Sequence, residues 1–140
     1  MKLYVYAAIA ALTVATPIFA AGDATKGESD FKKCKACHAI IGTDGTEIQK
    51  GGKTGPNLYG VIGRQIGAYP DFKYGDSIMA AGSDGTVWDE ALIAAYLVDP
   101  TAWLKEKTSD ASAKSKMSFK LAKGSEDVAA YLATFAAPAP

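Results

Sequence analysis

Phe31-Lys32-Lys33-Cys34-Lys35-Ala36-Cys37-His38 contains both cysteines and the only histidine of the 140-residue chain, gathered into five consecutive positions. Cys-x-x-Cys-His is the attachment pattern of a c-type haem. The spacing has a physical reason. Residues three apart on one helical turn lie on the same side, so two sulfurs can reach the vinyl groups along one porphyrin edge while the histidine is held beneath the iron. Three other readings of these residues are weaker. A structural zinc ion takes four ligands, usually two such pairs, and the chain has too few. A disulfide between near neighbours closes a loop too short to remove much chain entropy. A redox dithiol of the thioredoxin type opens a helix after a strand, whereas residues 24–33 read as helix.

With His38 committed to one axial position, the other falls to Met, Lys, water or nothing. Met79 and Met117 are the thioethers beyond Met1. Met117 is the expected ligand, because it lies in a loop among Ser115, Lys116, Ser118 and Phe119, where a side chain is free to face a flat group. Met79, in Ser77-Ile78-Met79-Ala80-Ala81, falls on a short helix, where methionine usually fills core space. A soft sulfur ligand favours reduced iron.

Working outward, Asp23 caps a helix expected from Ala24 to about Cys37, with Ala24, Gly27, Phe31 and Cys34 on one face. Gly27 permits close approach of another backbone. Ser125-Glu126-Asp127 starts a last helix with an apolar stripe of Val128, Leu132 and Phe135 and Tyr131 beside them. The first and last helices are natural packing partners. Residues 42–60, rich in glycine with a single proline, are expected as a long folded-back loop and not a strand pair. Thr86-Val87-Trp88-Asp89 has the capping-box form and is expected to open a helix through about Val98, with Leu92, Ile93, Tyr96 and Leu97 inward. Asp99-Pro100 then caps and starts a shorter helix to about Lys107. No repeat is visible, and residues 136–140 form an alanine- and proline-rich tail.

Met1-Lys2, an apolar run and a small-residue ending at Ala20-Ala21 have the form of a secretory signal, with cleavage expected after Ala20. The run is shorter than the ~20 residues that cross a bilayer. Residues 1–20 are therefore expected as a signal peptide and 21–140 as one domain, exported to the periplasm and not membrane-embedded. Fifteen basic residues balance fifteen acidic ones, which argues against nucleic acid as partner. The distribution is uneven. Lys32, Lys33, Lys35, Lys50 and Lys53, with Lys105, Lys107, Lys114, Lys116, Lys120 and Lys123, form two basic stretches, and one lysine-rich face is expected if the fold joins them.

These residues resemble the class I cytochromes c, and within them the bacterial cytochrome c2 and c550 type. The resemblance spans essentially residues 21–140. It rests on Gly27 and Phe31, Cys34-Lys35-Ala36-Cys37-His38, Gly55-Pro56-Asn57-Leu58-Tyr59-Gly60, Gly63-Arg64, Tyr74, Trp88, Tyr96, Lys116-Met117 and Tyr131-Leu132. It implies an all-α cytochrome c fold, four to five helices and long Gly-rich loops around one covalent haem c. It further implies that the Pro56 carbonyl accepts the second ring N–H of His38, that Arg64, Tyr74 and Trp88 hold the haem propionates, and that Tyr96 and Ser115 flank Met117. Compared with the shortest members, Ile40–Lys53 and Thr108–Lys114 are lengthened. The implied role is a monomeric electron carrier, not an enzyme, that moves electrons from a bc1-type complex to a photosynthetic reaction centre, a terminal oxidase or a periplasmic reductase. A haem enzyme or gas-binding sensor with a vacant sixth position is the alternative from another class.

Overall fold

In a computed structural model of the chain, residues 21–136 are described. The proposed signal segment 1–20 and the residues 137–140 lie outside them. The order is α1 (Ala24–Phe31), β1 (Ile40–Ile41), β2 (Glu47–Gln49), α2 (Asp76–Ala81), α3 (Glu90–Val98), α4 (Pro100–Thr108) and α5 (Ser125–Ala133). Among the described residues no helix is long and apolar enough to cross a membrane.

The Asp23 carboxylate caps α1 by accepting the amides of Thr25 and Lys26, at 2.9 and 3.1 Å. This helix packs on α5, burying Gly27, Phe31, Val128, Tyr131 and Leu132, with the Phe31 and Tyr131 rings 5.8 Å apart. Gly27 is required there, because a Cβ would run into the carbonyl of Asp127. The Asp99 carboxylate accepts the Ala102 amide at 3.0 Å, Pro100 occupies the first turn of α4, and Ser109 ends it in the left-handed region. The expected pairing of first and last helices and the Asp99-Pro100 start both hold.

Three expectations are corrected. First, α1 stops at Phe31, not near Cys37. The amides of Lys33 and Cys34 reach back only three residues, to Asp30 and Phe31, so the chain tightens into successive turns. Second, residues 42–60 are not strand-free, since Ile40–Ile41 pairs antiparallel with Glu47–Gln49. The signal was Asp44-Gly45, with Gly45 at φ +83 and the Asp44 carboxylate holding the Thr46 amide at 2.9 Å. Third, α3 begins at Glu90 and is capped by Asp89, whose carboxylate accepts the Leu92 amide at 2.7 Å. Thr86 caps nothing. Residues 86–88 run extended beside 63–66, exchanging Trp88 N–H to Arg64 and Ile66 N–H to Thr86 bonds of 2.9 and 3.0 Å. Tertiary pairing of the backbone outweighs a local capping pattern in this segment.

Candidate haem site

The turn after α1 places the three motif residues. The amides of Cys37 and His38 both bond the Cys34 carbonyl, at 3.1 and 2.9 Å, so Cys34 to His38 forms one helical turn. Cys34 is 8% exposed and Cys37 is exposed. Both face a cavity of about 700 Å³, together with His38 and Met117. Its apolar walls include Leu58 and Val61, Ile93 and Leu97 from α3, Leu104 from α4, and Val128 and Leu132 from α5. A void of that size in a small domain lies within the range of pockets that hold a large organic ligand.

The His38 imidazole is fixed. Its Nδ1 lies 2.8 Å from the Pro56 carbonyl, to which it donates in the tautomer that leaves Nε2 bare. Burial holds the His38 pKa below its ordinary value, against the opposing effect of the Pro56 hydrogen bond. Gly55 closes the other side. A Cβ there would sit 2.6 Å from His38 Nδ1 and 2.7 Å from Nε2, so only glycine lets the Gly55-Pro56 backbone lie against the ring. Asn57 locks this segment to β1. Its Oδ1 accepts the Ile41 amide at 2.9 Å and its Nδ2 donates to the Ile41 carbonyl at 2.8 Å.

Met117 comes from the irregular segment after α4 and is partly buried. Its amide donates to Ser115 Oγ at 3.0 Å, and that hydroxyl meets the Tyr96 phenol at 3.2 Å. Burial lifts the Tyr96 pKa, so the phenol keeps its proton. Met79, by contrast, is 52% exposed on α2 and does not fill the core as its helical position suggested.

Arg64, Tyr74 and Trp88 all border the cavity. The Arg64 guanidinium donates to the Asn57 carbonyl at 3.0 Å and to the Tyr59 carbonyl, and lies 4.7 Å over the Tyr69 ring. Trp88 is buried in an aromatic stack with Tyr96 and Trp103, at 5.2 and 5.3 Å. Lysines from both basic stretches, Lys33, Lys114 and Lys116, border the cavity, joined by Lys73, which lies outside either stretch. Lys33 pairs with Asp30 at 2.6 Å, and Lys107 and Lys120, away from the cavity, pair with Asp84 and Asp99 at 3.0 and 2.6 Å.

The rival chemistries fare poorly. A reactive dithiol needs a thiol whose pKa is depressed, whereas burial pushes the Cys34 thiol up to about 11. Among the described residues no group of three or more His, Cys, Asp and Glu side chains is arranged to hold a metal ion.

No family model matches the chain. Individual proteins do. Cytochrome c2 of Rhodobacter capsulatus is 63% identical over 135 residues, covering 96% of this chain and 98% of that protein. Cytochrome c-550 of Paracoccus denitrificans is 52% identical over 136 residues, covering 95% and 88%. The chain belongs to the cytochrome c2/c-550 family.

Solved structures agree. The Rhodobacter capsulatus cytochrome c2 structure matches with a TM-score of 0.80 at 65% identity, covering 81% of this chain and 97% of that one. Ferric cytochrome c-550 of Paracoccus versutus matches at 0.80 and 54%, covering 83% and 99%. The fold is the small helical cytochrome c fold expected from the sequence, with a short hairpin added. As a family member the protein carries one covalent haem c and transfers electrons; it is not an enzyme. The residues present fit that group: two thiols on one turn, an oriented imidazole with a bare nitrogen, a thioether and an apolar cavity. Sequence reasoning missed Gly55 as the ring's backstop, Asn57 as a latch, and Lys73 at the rim. Gly55-Pro56-Asn57 was legible as a motif, but its contacts span 16 to 18 residues of chain.

Proposed function

We propose that this cytochrome is a periplasmic single-electron shuttle whose haem is bonded through Cys34 and Cys37 and ligated by His38 and Met117. One observation carries the reading: Cys34, Cys37, His38 and Met117, up to 83 positions apart in sequence, line one apolar cavity. The haem supplies the redox couple when bound. The chain's residues supply the rest. The Pro56 carbonyl fixes the imidazole and raises its basicity as a ligand. Tyr96 and Ser115 hold the Met117 backbone. Leu58, Val61, Ile93, Leu97, Leu104, Val128 and Leu132 keep water out, so little solvent rearranges when charge changes. Arg64, Tyr74 and Trp88 provide donors towards the propionates, and the Arg64 guanidinium has N–H groups beyond the two given to Asn57 and Tyr59.

Residues 1–20 are read as a cleaved export signal and 21–140 as the mature domain. Lys33, Lys73, Lys114 and Lys116 beside the cavity suit brief, salt-sensitive contacts with acidic faces of membrane redox complexes. A bc1-type donor and a reaction centre, oxidase or periplasmic reductase as acceptor are the partners proposed from the family.

The test is spectroscopic. Protein matured with haem should retain its pigment on a denaturing gel, and Cys34→Ala with Cys37→Ala should lose it. The ferric protein should show a sulfur-to-iron absorption band that vanishes in Met117→Ala. A high-spin ferric spectrum that this substitution leaves unchanged refutes the ligand assignment.

A further inference from the structure

The residues leading into Met117 belong to no helix or strand, so their amides have no ladder to join. Hydroxyl groups from two helices, and one from the segment itself, take that place. The Lys114 amide donates to Ser77 Oγ of α2 at 3.0 Å. The next amide, of Ser115, donates to Thr101 Oγ1 of α4 at 3.2 Å. Ser115 then meets Tyr96 of α3 and accepts the Met117 amide. The segment enters from Ala113, which is 2% exposed, so it is pinned at both its start and its end.

We infer that Ser77 and Thr101 are positioning residues that clamp the Met117 segment and set how readily Met117 yields the iron to an external ligand. This rests on the proposed Met117 ligation. The short helix α2, whose Met79 is half exposed, gains a purpose: Ser77 reaches 37 residues along the chain to hold the end of the 108–114 connection, at Lys114, beside the cavity. Lys116 reinforces the same junction, its stem passing 3.3 Å from a Cβ placed at Gly75, beside the α2 N-terminus. Lys114 and Lys116 have exposed side chains. Amide bonds to the Ser77, Thr101 and Ser115 hydroxyls hold the segment, and the Lys116 stem beside Gly75 adds to them.

The experiment uses the ferric, haem-loaded protein titrated with imidazole, which competes with the thioether, and follows the sulfur-to-iron band. Ser77→Ala and Thr101→Val should each raise imidazole affinity about fivefold, the factor that goes with one lost neutral hydrogen bond. Ser77→Thr and Thr101→Ser, which keep the hydroxyl, should restore it. Thr134→Ala removes a comparable 2.7 Å hydroxyl-to-carbonyl bond at the far end of α5 and should leave the midpoint unchanged. Denaturant unfolding followed by circular dichroism runs in parallel, and the imidazole shift should exceed any shared fall in global stability. Unchanged imidazole affinity in Ser77→Ala and Thr101→Val, an equal shift in Thr134→Ala, or failure of Thr101→Ser to rescue overturns the clamp. A wild-type protein with no sulfur-to-iron band fails at the ligand reading instead, and removes the inference with it.

Discussion

Replacing Gly27 by alanine sets two effects of opposite sign against each other. Inside a helix, alanine is favoured over glycine by about 0.8–1.0 kcal/mol, so local propensity predicts a more stable protein. Packing predicts the reverse. The new Cβ would overlap the Asp127 carbonyl and lie 2.8 Å from Tyr131 Cβ, which forces α1 and α5 apart. Overpacking a tight core costs about 1–3 kcal/mol. The obstruction is helix backbone, not a flexible side-chain tip, so the upper end applies and the net loss is about 2 kcal/mol. Separating the helices also strains the Phe31 and Tyr131 contact at 5.8 Å. For a domain of this size, about 4 °C of Tm accompanies each kcal/mol, so the midpoint should fall by about 8 °C. Thermal unfolding of haem-loaded protein, followed by far-UV circular dichroism, measures it. Ser29→Ala, at an exposed position in the same helix, serves as the propensity control and should shift the midpoint slightly upward. A Gly27→Ala midpoint at or above wild type would refute the close-crossing explanation of this glycine.

Three further outcomes are expected. Asn57→Ala leaves the partly buried Ile41 amide and carbonyl without their side-chain partner, and should cost about 1–3 kcal/mol in denaturant unfolding; an unchanged midpoint would show that water replaces the latch freely. The Lys120 ammonium, and then the Ala102 amide, hold the Asp99 carboxyl below its ordinary range. Asp99 therefore binds its proton less readily folded than unfolded, so its contribution is complete above about pH 4 and is lost as the pH falls further. Asp99→Asn should lower Tm at pH 7 and narrow its gap to wild type in acid, and a gap that widens in acid contradicts that sign. Lys116→Glu, at the cavity rim, should slow second-order electron transfer with an acidic redox partner and weaken its salt dependence, measured by stopped flow, and identical rates at low salt would remove the steering role.

The sequence alone determined the cofactor and the class of fold. Cys34, Cys37 and His38 sit within five residues, where one turn of backbone sets their relation, and local geometry of that kind can be read without knowing the rest of the chain. Helix starts at Asp23, Asp99 and Ser125 were legible for the same reason: a cap or acidic first turn acts on amides two or three residues away. The capping box at Thr86 misled because residues 86–88 are claimed by the backbone of residues 63–66, a pairing that no local pattern records.

Tertiary structure decided everything that joins distant residues. It closed a cavity around the turn, set Gly55 and Pro56 against the imidazole, and brought Lys33, Lys73, Lys114 and Lys116 to the border of that cavity. It also brought Ser77 and Thr101 to amides 37 and 14 residues away. A hydroxyl in isolation carries no sign of which amide it will meet, because loop closure and helix packing choose the partner. Covalent chemistry is written in short spacings, whereas the control of that chemistry depends on contacts made only when the chain is folded.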